Sequence, residues 1–155
     1  MEPVKMSGAV VKGNVHFGKD CSVWYNAVVR CEEEEIRIGD RVNIQDCCVL
    51  HTGYSSPLVI GNDVTIGHGA VVHGCTVGNS TLIGMGSIIM NSSVIGNGCI
   101  VAAGAVVPER KTFPDGVLIM GCPAKVIRPL TEEEIRMNTL TAQYYAEQAV
   151  KEKAE

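Results

Sequence analysis

The sequence predicts an all-β protein, a parallel β-helix built from six-residue units and followed by a C-terminal α-helix. Its composition favours strands, because 21 Val and 13 Ile outnumber 6 Leu and β-branched side chains suit strands better than helices. Aromatic residues make up only 5% of the chain, which disfavours a sandwich or barrel packed around large rings. With 46% apolar and 19% charged residues, disorder is excluded. We therefore expect a narrow, aliphatic core.

A six-residue period organises the first two-thirds of the chain. A mostly aliphatic residue, followed as a rule by a small or polar one, recurs at this step. Each unit predicts a short strand whose aliphatic residue points inward and whose following glycine permits a tight corner, and successive coils should pair like the strands of a parallel sheet. The inward positions are Val11, Phe17, Val23, Val29, Ile38, Ile44, Leu50, Ile60, Ile66, Val72, Val77, Ile83, Ile89, Ile95, Val101 and Val107.

This pattern resembles the hexapeptide-repeat, left-handed β-helix family over roughly residues 9–110. The resemblance implies three units per triangular coil and a left-handed winding, which the period alone does not determine. Longer steps mark two loops ejected from corners, a run of glutamates at 32–35 and the segment 52–57. A shorter step at 73–76 marks a tightened corner.

The regular step ends after Val107, and prolines and glycines punctuate the chain that follows. We therefore divide the chain into a left-handed β-helix domain (1–110), a crossing segment (111–130) and a C-terminal helix (131–155).

The C-terminal helix has a clear start signal. Thr131 and Glu134 form a capping box. Met137, Leu140 and Tyr144 follow at helical spacing, so we expect the helix to pack on the β-helix. Either the open end of the prism or a neighbouring subunit would cover its apolar side.

Composition and termini exclude several classes of protein. The net charge of −4 includes no basic block, which argues against nucleic-acid binding. Neither a run of about 18 apolar residues nor a signal-peptide pattern is present, so we expect no membrane association and a cytoplasmic protein. The 7 cysteines form an odd set without a CxxC pair, which disfavours a disulfide framework and a thiolate zinc cluster.

Stacking three units per coil brings histidines into register. Arg30, His51 and His73 fall on one column, just past the third corner, whereas Asp46 and His68 fall on another, just past the second corner. Adjacent coils lie about 4.8 Å apart, so His51 and His73 can converge on one ion through bonds of about 2.0–2.1 Å. If three prisms pack around a threefold axis, His68 of one chain can face this pair on the next. The residues thus suggest a three-histidine site split between two chains of a homotrimer.

The motifs around these histidines are Val29-Arg30, Ile38-Gly39-Asp40-Arg41-Val42-Asn43-Ile44-Gln45-Asp46, Leu50-His51-Thr52, Ile66-Gly67-His68 and Val72-His73-Gly74, followed by Gly84-Met85-Gly86 and Gly121-Cys122-Pro123-Ala124-Lys125-Val126-Ile127-Arg128. Through them the chain resembles the short-loop, bacterial branch of the γ-class carbonic anhydrases. The resemblance implies a homotrimer whose divalent metal is held by His51 and His73 of one subunit and His68 of its neighbour. Zinc is the first candidate, with iron(II) or cobalt as alternatives.

The resemblance also implies the reaction, which is the reversible hydration of carbon dioxide to bicarbonate by a metal-bound hydroxide. Three neutral imidazoles preserve the charge of the dication, which lowers the pKa of bound water to about 7. Gln45 is implied to hydrogen-bond the metal-bound solvent, and Arg30 to pair with Asp46 near the subunit contact. Glu32 is the nearest acidic candidate to accept the proton. Tyr145 belongs to a stretch that can lie beside the active site.

Simpler interpretations stay open. Arg30 and Asp46 can form an ordinary structural ion pair, and Gln45 can satisfy a backbone group at a corner. The prism also serves hexapeptide-repeat acyltransferases and acyl-CoA thioesterases. A non-catalytic metal-binding trimer is the third alternative, because Glu32 and Glu147 depart from the family pattern.

Overall fold

The computed structural model describes residues 1–154, and within them the chain forms twenty strands and one helix. Most strands are short, because a corner follows each inward residue almost at once. In chain order the elements are β1 (Val4–Lys5), β2 (Val10–Lys12), β3 (Val15–Phe17), β4 (Ser22–Val23), β5 (Val28–Arg30), β6 (Ile36–Ile38), β7 (Asn43–Ile44), β8 (Val49–His51), β9 (Leu58–Ile60), β10 (Thr65–Ile66), β11 (Val71–His73), β12 (Thr76–Val77), β13 (Leu82–Ile83), β14 (Ile88–Ile89), β15 (Val94–Ile95), β16 (Ile100–Val101), β17 (Val106–Val107), β18 (Thr112–Phe113), β19 (Val117–Gly121), β20 (Ala124–Pro129) and α1 (Glu132–Ala154).

The strands wind into a left-handed parallel β-helix of about six coils, which confirms the predicted fold class. Sheet A has the order β1-β4-β7-β10-β13-β16-β19-β20, sheet B the order β17-β14-β11-β8-β5-β2, and sheet C the order β18-β15-β12-β9-β6-β3. The predicted stacking of inward residues is also confirmed. Val23, Ile44, Ile66, Ile83 and Val101 lie in register along sheet A, and each is 0% exposed.

The glycines that follow inward residues serve close packing between coils, which differs from the predicted role in turning corners. Gly39, Gly61, Gly78 and Gly96 stack on one another without a positive φ. A Cβ on Gly78 would lie 2.6 Å from the carbonyl carbon of Gly96, and one on Gly61 would lie 2.9 Å from that of Gly78. The left-handed residue of each corner comes two positions later, at Arg41, Asp63, Ser80 and Gly98.

Asparagine and aspartate side chains cap the same corner in a continuous ladder. The backbone N–H of Asn62 donates to Asn79 Oδ1, and that of Asn79 donates to Asn97 Oδ1, each over 2.8 Å. The same contact joins Lys19 to Asp40, Asp40 to Asn62 and Asn97 to Asp115. Corner N–H groups need acceptors outside the strand pairing, and the ladder supplies them from the next coil.

We expect Asn79→Ala to lower the free energy of unfolding by about 1 kcal/mol, because the Asn62 N–H loses its acceptor. Chemical denaturation would measure the change. Asn14→Ala removes the same amide outside the ladder and serves as the control. Equal losses in both variants would contradict a specific contribution from the ladder.

The regular coil continues beyond residue 110, the predicted end of the β-helix domain. Phe113 in β18 and Ile119 in β19 occupy the next inward positions after Val107 and are 2% and 0% exposed. Pro114 lies in the corner between β18 and β19, where a missing N–H costs no strand pairing. The chain then reverses, because β20 pairs with β19 in the antiparallel direction. Pro114 therefore lies at a corner within the repeat, and the regular coil ends only where β20 reverses the chain direction.

The predicted capping box at the helix start is confirmed. The backbone N–H of Glu134 donates to Thr131 Oγ1 over 3.2 Å, and that of Thr131 donates to Glu134 Oε2 over 2.8 Å. Arg128 holds the same carboxylate through two nitrogens at 2.8 and 2.9 Å.

Within residues 1–154, no helix is long and apolar enough to span a membrane.

The helix α1 packs on the prism through a face other than its predicted apolar side. Cover of the apolar side by a neighbouring subunit stays a prediction. The helix contacts β1, β4, β7 and β10 of sheet A. Asn138 and Ala142 are buried there, and Asn138 Nδ2 donates to the carbonyls of Ser80 and Cys99 over 3.0 and 3.1 Å. The predicted apolar side is exposed in this chain, at Met137, Leu140 and Tyr144.

Candidate metal centre

His51 and His73 lie on one column of the prism, with Arg30 beside them. Sheet B pairs the ends of β5, β8 and β11 so that Arg30 is next to His51 and His51 is next to His73. His51 Nδ1 is 2.9 Å from His73 Nε2, and the ring centroids are 4.9 Å apart. The predicted stacking of the three side chains is therefore confirmed.

Oxygen atoms contact the outer nitrogens of both rings. His51 Nε2 lies 2.7 Å from Glu32 Oε2, and the other oxygen of Glu32 contacts Arg30. His73 Nδ1 contacts Asn91 Oδ1. Sequence reasoning missed Asn91. In the coil after His73, it directly follows the residue that continues the column of Arg30, His51 and His73. Its polar side chain at this corner was the available signal.

The surroundings of His51 favour its neutral form. Partial burial lowers the pKa of His51, and the charges of Arg30 and His73 lower it further. A metal ion binds the neutral imidazole. This corner therefore favours the protonation state that a metal requires.

His68 lies at a different corner, just after β10 in sheet A, as predicted. Its side chain is 48% exposed, and its Nδ1 is 2.9 Å from Asp46 Oδ2 of the preceding coil. Among the described residues, no cluster of three or more His, Cys, Asp or Glu side chains could hold a metal within one chain. The chain thus presents two imidazoles at one corner and one at another.

Gln45 supports the corner that carries His68. Its side chain is buried, its Oε1 accepts a hydrogen bond from the backbone N–H of His68 over 3.2 Å, and its Nε2 donates to Asn43 Oδ1 over 3.3 Å. Asn43 donates in turn to Thr65 Oγ1 over 2.8 Å. Gln45 therefore satisfies a corner backbone group, the simpler of its two predicted roles.

Arg30 and Asp46 have different partners within the chain. Arg30 contacts Glu32, whereas Asp46 contacts His68. The two residues stand at different corners of the prism, so the ion pair implied by the family resemblance needs two chains. That pair stays a prediction.

A shallow groove of about 390 Å³ lies between sheet A and α1, beside His68. Gln45, Met85 and Tyr145 line it. The ring of Tyr145 also packs edge-on against Trp24, with centroids 5.7 Å apart. Tyr145 therefore holds the helix on the prism and forms part of the groove wall near His68.

The paired imidazoles fit a divalent metal such as zinc. Two nitrogens bound to one tetrahedral zinc ion at about 2.1 Å stand about 3.4 Å apart, close to the 2.9 Å between His51 Nδ1 and His73 Nε2. Neutral nitrogen donors are also ligands that zinc accepts readily. These two residues therefore suit two positions of a metal site, and a third donor must come from elsewhere.

Known proteins resemble this chain in both sequence and fold. Residues 74–109 match the family model described as bacterial transferase hexapeptide (six repeats). A probable carbonic anhydrase of Methanocaldococcus jannaschii is 54% identical over 129 residues, which cover 83% of this chain and 81% of that protein. Gamma carbonic anhydrase 1, mitochondrial, of Arabidopsis thaliana is 40% identical over 153 residues, or 95% of this chain and 56% of that protein. The chain belongs to the γ-class carbonic anhydrase family.

A solved structure extends the similarity of this γ-carbonic anhydrase family member to proteins described as transferases. A putative acetyltransferase of Bacillus cereus superposes with a TM-score of 0.90 at 39% identity, covering 99% of this chain and 92% of that one. The family prism is thus shared with proteins whose names indicate other chemistry, and activity has to be argued from the site.

One cysteine near the histidines of this γ-carbonic anhydrase family member is buried in the core. Cys75 is 2% exposed, and burial raises the pKa of its thiol to about 12. Burial likewise raises the pKa of Cys48 to about 11. Because a metal binds the thiolate, such thiols are poor ligands, which agrees with the predicted role of the cysteines as small core residues.

Proposed function

We propose that this γ-carbonic anhydrase family member is a cytoplasmic homotrimer that catalyses the reversible hydration of carbon dioxide to bicarbonate with a divalent metal, zinc being the first candidate. The observation that carries the proposal is the imidazole pair of His51 and His73, whose facing nitrogens are 2.9 Å apart. His68, exposed at another corner, supplies the third nitrogen to a neighbouring chain. Closed threefold packing makes every such contact equivalent, so each trimer contains three identical sites.

The three imidazoles would hold the metal, which when bound would lower the pKa of water to about 7. Gln45 holds the backbone of His68 in place over 3.2 Å. Its amide has two N–H donors, of which one contacts Asn43. We assign the other N–H of Gln45 to orient solvent at the proposed metal centre.

Glu32 is assigned to accept the proton that leaves after each turnover. Its side chain is 58% exposed, and its Oε2 lies 2.7 Å from His51 Nε2. The carboxylate therefore lies between the centre and bulk solvent, where it can pass a proton to buffer. Arg30 contacts the other oxygen and holds the carboxylate in position, and Arg30 also pairs with Asp46 of the neighbouring chain.

Metal analysis and stopped-flow hydration on one sample test the proposal. Protein produced with zinc, or anaerobically with iron, should contain about one metal per chain and accelerate the hydration of carbon dioxide. His68→Ala is the matched control, because it removes one ligand from an exposed position without disturbing the core. If protein produced in either way contains no metal and hydrates carbon dioxide no faster than His68→Ala, the proposal is wrong.

An acyltransferase or acyl-CoA thioesterase is the second candidate, favoured by the similarity to a putative acetyltransferase. The groove beside His68 would then hold the acyl thioester, with the imidazole as general base. Incubation with acetyl-CoA and longer acyl-CoA esters tests this candidate. If none binds or is consumed, the candidate is eliminated.

A trimer that keeps the metal only for assembly is the third candidate. A metal held between chains should couple to association, so chelation should dissociate such a trimer. A chelated protein that stays trimeric and equally stable would argue against it.

A further inference from the structure

The outer nitrogens of both paired histidines face oxygen acceptors. Asn91 Oδ1 contacts His73 Nδ1, and Glu32 Oε2 lies 2.7 Å from His51 Nε2. An amide oxygen accepts hydrogen bonds and donates none, as does an ionised carboxylate. Each contact is therefore a hydrogen bond only if the outer nitrogen carries the proton.

Two glycines, Gly53 and Gly74, leave the space that the Asn91 side chain occupies. A Cβ on Gly53 would lie 2.7 Å from Asn91 Oδ1, and one on Gly74 would lie 2.9 Å from it. The backbone carbonyl of Gly74 also accepts the N–H of Ser92 over 2.6 Å. A larger residue at Gly53 or Gly74 would push the amide away from His73, so the surroundings of Asn91 hold it against the ring.

We infer that Asn91 is a positioning residue that locks His73 in the Nδ1–H tautomer, and that Glu32 locks His51 in the Nε2–H tautomer. The inference rests on the proposed metal site. With both outer nitrogens protonated, the bare lone pairs of His51 Nδ1 and His73 Nε2 face each other across 2.9 Å. Two bare lone pairs at this distance repel each other, so the pair is stabilised when one inner nitrogen takes up a second proton or when both bind a metal ion.

This assignment gives the two acceptors a definite effect on metal binding. An imidazole whose second nitrogen donates to a fixed acceptor keeps its ring orientation and becomes a stronger ligand, and loss of such a partner typically costs about 10–100-fold in metal affinity. Asn91→Ala should therefore weaken zinc binding by about this factor. Asn91→Asp keeps an oxygen acceptor and should retain both the tautomer and most of the affinity.

Nitrogen-15 NMR of the metal-free protein tests the tautomers directly. Wild-type and Asn91→Asp proteins should show His73 protonated at Nδ1, whereas Asn91→Ala should show the Nε2–H tautomer as a major form. Asn97→Ala is the matched control. It removes an asparagine at another corner whose Oδ1 accepts a hydrogen bond from the backbone N–H of Asn79, and it should leave the tautomer of His73 unchanged.

Two results would overturn the inference. One is His73 protonated at Nε2 in the wild-type protein, and the other is an Asn91→Ala variant that keeps both the Nδ1–H tautomer and the wild-type zinc affinity. Because the tautomer is measured without metal and without carbon dioxide, this outcome is separate from the proposed function. A correct tautomer in a protein that hydrates no carbon dioxide would leave the positioning role intact while removing the reaction.

Discussion

Trimers assembled from equal amounts of His68→Ala and His73→Ala chains should recover about a quarter of the metal sites that either variant alone lacks. A site needs the His51 and His73 pair of one chain and His68 of the next. When chains mix at random around a ring, only a His68→Ala chain followed by a His73→Ala chain meets this condition, at about one contact in four. Zinc content and hydration rate of the co-expressed trimers, purified without selection for mixed rings, measure this recovery relative to wild type. In trimers selected for both chains the expected fraction is about one contact in three, because each mixed ring has one such contact.

The two variants purified separately and then combined without subunit exchange form the control, and they should stay at the level of each variant alone. The mixture also discriminates between arrangements of ligands. If all three histidines of a single chain held the metal, neither variant would keep a complete set and mixing would restore nothing. Absence of recovery in trimers shown to contain both chains would therefore contradict the shared site.

Gly78→Ala should cost about 3 kcal/mol of the free energy of unfolding. Its added Cβ would lie 2.6 Å from the backbone nitrogen of Asn97 and 2.6 Å from the carbonyl carbon of Gly96. Neither atom can yield without separating two hydrogen-bonded coils. Denaturant-induced unfolding, followed by circular dichroism at fixed protein concentration, measures the loss.

Gly104→Ala is the matched control for the packing effect. Gly104 has φ of +69° and no heavy atom within 4 Å of an added Cβ, so alanine there meets only the left-handed backbone cost of about 1–2 kcal/mol. If Gly78→Ala destabilises no more than Gly104→Ala, the stacked glycines do not act through close packing.

The repeat positions of the core could be predicted because they are local properties of the sequence. Inward residues such as Ile44, Ile66 and Ile83 recur at a constant step, and each is fully buried in the structure. The same arithmetic placed His51 beside His73, since residues at equal offsets from inward positions must stack when the strands pair in register. The capping box of Thr131 and Glu134 was equally accessible, because it depends on residues only three apart.

Other features depend on contacts between distant residues and escaped prediction. The glycine of each unit suggested a tight corner, yet glycine is needed at position 78 because a Cβ there would collide with the backbone of the following coil. The helical spacing of Met137 and Leu140 predicted an apolar side covered by the prism or by a neighbouring subunit, but within the chain Ala142 is buried and this side is exposed. The role inferred for Asn91 depends on the contact between its Oδ1 and His73 Nδ1 of the preceding coil.

The sequence by itself determined the architecture of this protein and the column on which two of its histidines stand. Periodicity suffices for the stacked coils, because a repeat of inward aliphatic residues allows few ways to bury them, whereas the left-handed winding was implied by the family resemblance. Only the tertiary structure decided which nitrogens of His51 and His73 face each other and which oxygen atoms hold the outer ones. Those contacts depend on ring orientation and on side chains from separate coils, and neither is encoded in the spacing of residues along the chain.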